Sequence, residues 1–413
     1  MRGRGTARDG LTGVALLGVL LAAAGNAAAT GRAGGAVPYR TAPGAQEVRG
    51  SASSAGGPLL KPGAHVYTDS VKPGERKYYT VELDARSSAY VSAVAVPRPG
   101  STMGARDGID VALETADGTR CGVGRHRTFL SAGGAYPVAD YAERVVAAGG
   151  ACKAAGTYRF AVQRGEAAGG DGAAVPVELA YAAEAPEPAG AEAAPAGPSG
   201  GWSSRPPSRP AGPAEPVTGG SGFNDAAMIR PGGWKDELRP GETRFYRVAV
   251  EAGQQLFASA RFGAEQAAAA GPFVTNGIRL GMNNAARGYV TNRIAGYQGR
   301  TATVSLATPP AASGAGGEAG RGMRRPGWYY LQVSLNSKVG REGSGGVPVT
   351  LTVDVAAAQQ AGRGERGAAR RTETAGSHPD ERLRAIGYAG VGTGSLLLAG
   401  LGGWALAARR EDG

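Results

Sequence analysis

The chain is 413 residues long, with a formal net charge of +11, 71 glycines, 26 prolines and only 6% aromatic residues. That length admits two or three ordinary domains, and clustered glycine and proline exclude one continuous core running through all of it. So small an aromatic supply leaves Val, Leu, Ile, Ala and a few Tyr and Phe to build the cores, which suits modest sheets.

The N-terminus sets Arg2, Arg4 and Arg8 ahead of an apolar run from Leu11 to Ala24, and "NAAAT" then supplies small residues for cleavage after Ala29. The run falls short of the ~20 residues that cross a bilayer, so residues 1–29 are expected to be a secretory signal. Residues 30–57 are Gly, Ala and Ser with scattered charges, too poor in large apolar side chains to fold alone, and read as a disordered segment.

A first module is expected over 58–183. It opens with "VKPGERKYYTVELDARSSAYVSA", Val71 to Ala93, which returns 167 residues later as "LRPGETRFYRVAVEAGQQLFASA", Leu238 to Ala260. In each copy Pro-Gly supplies the fixed φ and the positive φ of a type II turn. Tyr79, Val81 and Leu83 then alternate as a half-buried strand does, as do Tyr246, Val248 and Val250. Ala89, Val91 and Ala93, and Leu256, Ala258 and Ala260, continue the alternation on a second strand.

Eight of the 23 aligned residues are identical, more than two unrelated hairpins would share. Further pairs follow in order. "GIDVALE" answers "GIRLGMN", "GTYRFAVQ" answers "GWYYLQVS", and "VPVELAY" answers "VPVTLTV". The second module, over 223–356, is therefore a tandem duplicate of the first, and both read as antiparallel β-sandwiches punctuated by Gly and Pro.

Between them, residues 184–222 form a Pro/Gly/Ala-rich linker, expected to be extended and semi-rigid. After the second module comes a polar stalk, 357–385. The 23 uncharged residues from Ile386 to Ala408 are long enough to span a bilayer as a helix, and Arg409 and Arg410 place the tail, 409–413, on the cytoplasmic side. The expected location is the cell membrane, with one span and the bulk of the chain outside.

The succession of a Pro-Gly-Glu turn, "YYTVEL", "GIDVAL", "GTYRFAV" and "VPVELAY" resembles the bacterial pre-peptidase C-terminal domain, and the whole arrangement resembles exported, membrane-anchored actinobacterial proteins without an assigned activity. The resemblance covers both modules. It implies an all-β fold of two tandem jelly-roll-like β-sandwiches, here followed by a transmembrane helix, and an accessory binding role, in some members with calcium. The usual acidic strand is reduced to Asp110, with Asp107 just before it, and Arg279 stands at the matching place in the second module. No metal or other cofactor is therefore expected.

Two cysteines on the exported side, Cys121 and Cys152, are expected to form a disulfide closing a loop of about thirty residues. Common hydrolase and nucleotide motifs are absent from the sequence. His65, His126 and His378 read as ordinary surface residues, and the pairs Asp110/Glu114 and Asp140/Glu143 are of a kind that occurs by chance. The chain is expected not to be an enzyme. Arg125, Arg127, Phe129, Tyr136 and Tyr141, on the segment stiffened by the disulfide, form a candidate interaction loop.

The positive excess lies mainly in the second module, which suits an anionic wall polymer, although arginine-rich, Ala/Gly-rich composition also reads as a coding bias. The expected partners are the membrane and a cell-wall polymer or surface protein, with no nucleic acid. An accessory subunit of an exported peptidase system is the alternative role.

Overall fold

The computed structural model describes residues 36–130, 133–146, 152–185, 202–264, 272–312, 315–340 and 345–358. The expected signal peptide, the stalk beyond residue 358, the span at 386–408 and the tail lie outside the described residues. Among the described residues no helix is long and apolar enough to cross a membrane.

In the first module the strands are β1 (Gln46–Glu47), β2 (Leu59–Leu60), β3 (Val66–Val71), β4 (Arg76–Leu83), β5 (Ser88–Ala95), β6 (Gly108–Glu114), β7 (Arg125–Thr128), β8 (Val138–Arg144), β9 (Gly156–Arg164) and β10 (Val175–Glu184). They form two five-stranded sheets, ordered β1-β3-β10-β5-β8 and β2-β4-β9-β6-β7.

The second module repeats the set: β11 (Glu215–Pro216), β12 (Ala227–Met228), β13 (Gly232–Leu238), β14 (Thr243–Val250), β15 (Gln254–Phe262), β16 (Val274–Asn284), β17 (Tyr289–Tyr297), β18 (Ala302–Ala307), β19 (Gly327–Leu335) and β20 (Val347–Ala357). Its sheets are ordered β11-β13-β20-β15-β18 and β12-β14-β19-β16-β17. Adding ten to each strand number of the first module reproduces the second, so the duplication extends to every strand pairing.

Local chemistry repeats as well. Gly74 and Gly241 hold φ of 70° and 87° at the Pro-Gly turns, where only glycine is free of a Cβ penalty. The following glutamates, Glu75 and Glu242, accept from the backbone N–H of Lys72 at 2.7 Å and of Arg239 at 3.0 Å. Buried Tyr79 donates its hydroxyl to Asp69 at 2.9 Å, and Tyr246 donates to Asp236 at 2.6 Å. The same two carboxylates accept from Gly50 N and Gly219 N, each at 2.8 Å. A Cβ on either glycine would stand 2.8 Å from the tyrosine ring, which is why both positions are glycine.

The alternating residues fill two separate cores. Tyr79, Val81, Leu83, Ala89, Val91 and Ala93 lie in one, and Tyr246, Val248, Val250, Leu256, Ala258 and Ala260 in the other. Cys121 and Cys152 are joined, with Cα atoms 5.6 Å apart.

The N-terminal segment departs from the expected disorder, and the linker, expected to be extended and semi-rigid, is extended and also docked. From Ala36 the N-terminal segment is ordered: Val48 N–H donates to Thr68 O at 2.9 Å, and β1 pairs in parallel with β3. Its lack of large side chains is no obstacle, because its backbone is held by strands already formed. The linker, from Trp202 onward, lies along the second module. Arg205 stacks 3.9 Å over the Phe257 ring and pairs with Asp354 at 2.8 Å, and β11 adds a parallel strand to β13. Proline keeps this backbone extended, and in that form it covers the outer side of β15.

The larger surprise concerns the outer faces. All eight residues of β5 are buried, although alternation predicts only one buried side. The second side, including Val94, packs with Ala139 of β8 against Phe223, Ala226 and Phe245 of the second module, with Tyr39 and Tyr330 at the margin. Burying an aromatic side chain such as Phe245 contributes roughly 1.5–3 kcal/mol. Sheet β1-β3-β10-β5-β8 thus backs onto sheet β12-β14-β19-β16-β17, four sheets stack in order, and the described residues of both modules form one compact unit.

Candidate functional site

The join between modules is built from acids of the first and arginines of the second. Fully buried Glu178, on β10, forms an ion pair with Arg287 at 2.6 Å and accepts from both contacts of the Asn224 amide at 3.0 and 3.1 Å, from Tyr39 OH at 3.2 Å and from Ala42 N–H at 3.0 Å. Asp140, on edge strand β8, accepts from Arg127 Nε at 2.8 Å and from Arg321 at 3.2 Å. It also accepts from Tyr289 N–H at 3.2 Å and Tyr141 N–H at 2.9 Å. Glu143 takes Arg324 at 2.8 Å, and Glu184 takes Arg325 at 2.7 Å.

Arg321 belongs to the short helix α1 (Gly317–Gly322), whose Glu318 pairs with Arg127. Burial is the largest influence and works to lower the pKa of Arg127 and of Arg321, but the Asp140 charge together with Glu318 beside Arg127, and with Tyr141 and Glu143 beside Arg321, outweighs it, and both guanidinium groups sit above the ordinary value. Several of the second module's arginines, Arg287, Arg321, Arg324 and Arg325, are therefore engaged by the first module's carboxylates.

The candidate loop residues divide accordingly. Phe129, Tyr136 and Tyr141 are buried, Phe129 in the first core and the two tyrosines toward the second module. Tyr136 donates to Asn276 O at 3.4 Å, and Tyr141 lies 4.8 Å below the Arg321 guanidinium. Arg127 stacks 3.9 Å over Tyr289. Arg125 remains half-buried, its pKa lowered by burial and by nearby Arg321. These aromatic and Arg side chains face an internal partner.

The acids singled out in the sequence are also engaged. Asp110 faces His126 Nδ1 at 2.8 Å, and Glu114 pairs with Arg76 at 2.7 Å. Asp107 holds Arg164 in a fully buried pair, with contacts at 2.9 and 2.7 Å. Among the described residues no three His, Cys, Asp or Glu side chains cluster as metal ligands.

Where the modules diverge at one margin, they leave a cleft of about 170 Å³. Its floor is Tyr90, Tyr141 and Tyr329, the first two edge-to-face with centroids 5.2 Å apart. Its rim is Trp328, Arg324, Arg325 and Glu184. Trp328 is 38% exposed and is backed by Arg247, 5.1 Å from its ring. Burial raises the Tyr90 hydroxyl to about 12 and also raises that of Tyr141, so both stay protonated near neutral pH.

Arg321 lines the cleft from behind. One of its nitrogens is spent on Asp140, while its Nε and Nη1 are buried without a hydrogen-bond partner. Aromatic faces, guanidinium forks and one carboxylate can grip a polar ring by stacking and bidentate hydrogen bonds. They supply no activated nucleophile.

Sequence reasoning missed Tyr90, Arg321, Arg324 and Trp328. The signal available was the stretch "GEAGRGMRRPGW", an arginine-rich connection before β19 that has no counterpart before β9.

No family model and no curated protein matches the chain. Solved structures similar to it include the pre-peptidase C-terminal domain of collagenase from Bacillus anthracis, at 16% identity over 34% of this chain and 97% of that one, with a TM-score of 0.20. The N-terminal CBM22 tandem domain of a Paenibacillus barcinonensis protein is similar at 12% identity over 79% of this chain and 99% of that one, with a TM-score of 0.19. The tandem CBM51 modules of a family 98 glycoside hydrolase from Streptococcus pneumoniae follow at 10% identity over 70% and 83%, with a TM-score of 0.17.

Proposed function

We propose that the protein is an exported, membrane-anchored surface protein that acts by non-covalent recognition, and that its ligand, a glycan unit of a cell-wall polymer, docks in the cleft the two modules form together. The observation that carries this reading is the cleft itself, with an aromatic floor, an exposed tryptophan at the rim and a buried guanidinium holding two unused donors. Ligand pockets combine apolar walls with a few polar groups in this way, and favour the junctions between domains.

Trp328→Ala is expected to weaken capture of isolated cell walls by the soluble ectodomain about tenfold, because truncating an aromatic anchor at a binding site costs on the order of 1–2 kcal/mol. Arg324→Ala is expected to weaken it less and to reduce the salt dependence. Exposed Arg98, remote from the cleft lining, serves as the control and is expected to behave as the unaltered chain. Co-sedimentation across a salt series reads all three. Wall binding that persists unchanged in Trp328→Ala contradicts the assignment of the cleft.

A further inference from the structure

A second cavity, distinct from the cleft, lies deeper in the join. It measures about 30 Å³ and is lined by Arg127, Val138 and Ala139 of the first module and by Arg279, Asn283 and Tyr289 of the second, among others. Arg279 projects from the outer face of β16 and is 3% exposed. No carboxylate stands among its partners: Nη1 donates to the Gln332 side chain at 2.9 Å, and the Tyr136 ring lies 6.0 Å away. Its Nε is buried with no hydrogen-bond partner.

The guanidinium lies across Gly281, where a Cβ would stand 2.6 Å from Nη2, so glycine is what lets the charge lie flat on the sheet. Burial lowers its pKa to about 10, still charged near neutral pH.

The surrounding charge does not balance. Asp140 already serves Arg127 and Arg321 and also lies near Arg125, and Glu318 serves Arg127. Arg279 has neither. A buried charge without a counter-ion is costly, and a cavity of this volume suits one water-sized or halide-sized occupant.

We propose that this cavity holds a small monovalent anion, of which chloride is the natural representative, bound against Arg279 and closed in by both modules. The anion supplies the missing counter-charge and acts as a structural ligand of the join, independently of what docks in the aromatic cleft.

Two measurements test it on the ectodomain. Crystals grown in sodium bromide are expected to show anomalous density against the Arg279 guanidinium. In solution, chloride is expected to raise the thermal midpoint by about 2 °C per tenfold increase above its dissociation constant, relative to gluconate at matched ionic strength. Arg279→Met is expected to make the two salts equivalent. Should that variant fail to fold, bromide diffraction from the unaltered chain decides alone. Absence of bromide density at the site, or coincident midpoints in the two salts for the unaltered chain, overturns the proposal in favour of a cavity filled by water.

Discussion

Asp140→Ala is expected to destabilise the two-module body by about 3–5 kcal/mol, the range for removing one partner of a buried ion pair. The carboxylate is fully buried and holds Arg127 from its own module, Arg321 from α1 and the Tyr289 N–H from β17. Its loss leaves two largely buried guanidinium groups close together, with part-exposed Glu318 beside Arg127 and Glu143 near Arg321 as the remaining counter-charges. Asp140 shares the inner face of edge strand β8 with Val138 and Ala142, at the margin of the first sandwich where Arg321 and the Tyr289 N–H of the second module reach it, so its loss is expected to loosen the join along with that margin. Calorimetry is therefore expected to show one unfolding transition for the unaltered chain and two for Asp140→Ala, with the first at lower temperature. A single transition at the unaltered temperature contradicts the role given to Asp140.

Asp107→Ala is expected to cost a similar amount, about 3–5 kcal/mol, but inside the first module. Asp107 and Arg164 are both fully buried, and Arg164 also donates to Asp171 O at 3.2 Å and to Ala173 O, tying the loop before β10 to the end of β9. The duplication supplies its own control. At the corresponding places the second module has Asn276 and Leu335, and Leu335 is fully buried in its core.

An uncharged pair, Asn with Leu, thus already stands at the same strand pairing. Asp107→Asn combined with Arg164→Leu is expected to recover most of the loss, as replacing a buried pair by packed apolar atoms often does. Urea denaturation of the single and double variants measures both. If the double variant is no more stable than Asp107→Ala, the loop contacts of Arg164 matter more than its charge.

Both predictions turn on polar residues whose partners are far away in sequence, and that is where the sequence stops being legible. Period-two alternation in "KYYTVEL" and "RFYRVAV" marks the inner faces, because apolar residues can bury against any apolar surface and need no named partner. The Pro-Gly turns and the order of matching segments carry the duplication into five strand positions, β4, β5, β6, β9 and β10, and the structure extends it to the other five. Arg279, Gln332, Asn283 and Glu178 occupy the alternate positions, where a strand with one wet side would carry polar residues. Their burial depends on a second sheet that only the folded chain brings into place.

The same limit applies to charge. By sequence, the arginine excess of the second module reads as a surface for an anionic polymer or as a composition bias. Arg287, Arg321, Arg324 and Arg325 instead meet Glu178, Asp140, Glu143 and Glu184. The segments around Tyr39 and Arg205 were hidden for a related reason: small or proline-rich stretches cannot fold alone, yet they add strands and stacking contacts to modules that already have. Of the candidate loop, Arg127, Tyr136 and Tyr141 meet the neighbouring module of the same chain, while Phe129 packs into the core of its own.

The central claim is that the two sandwiches close on one another, since the cleft and the anion cavity exist only in that arrangement. Small-angle X-ray scattering of the two-module fragment from Ala36 to Ala358 tests it most directly. Closed modules predict a radius of gyration of about 20 Å, that of one compact body of this length. Two sandwiches held apart by an extended linker would give about 27 Å or more, with a two-lobed distance distribution. That larger value would contradict the account.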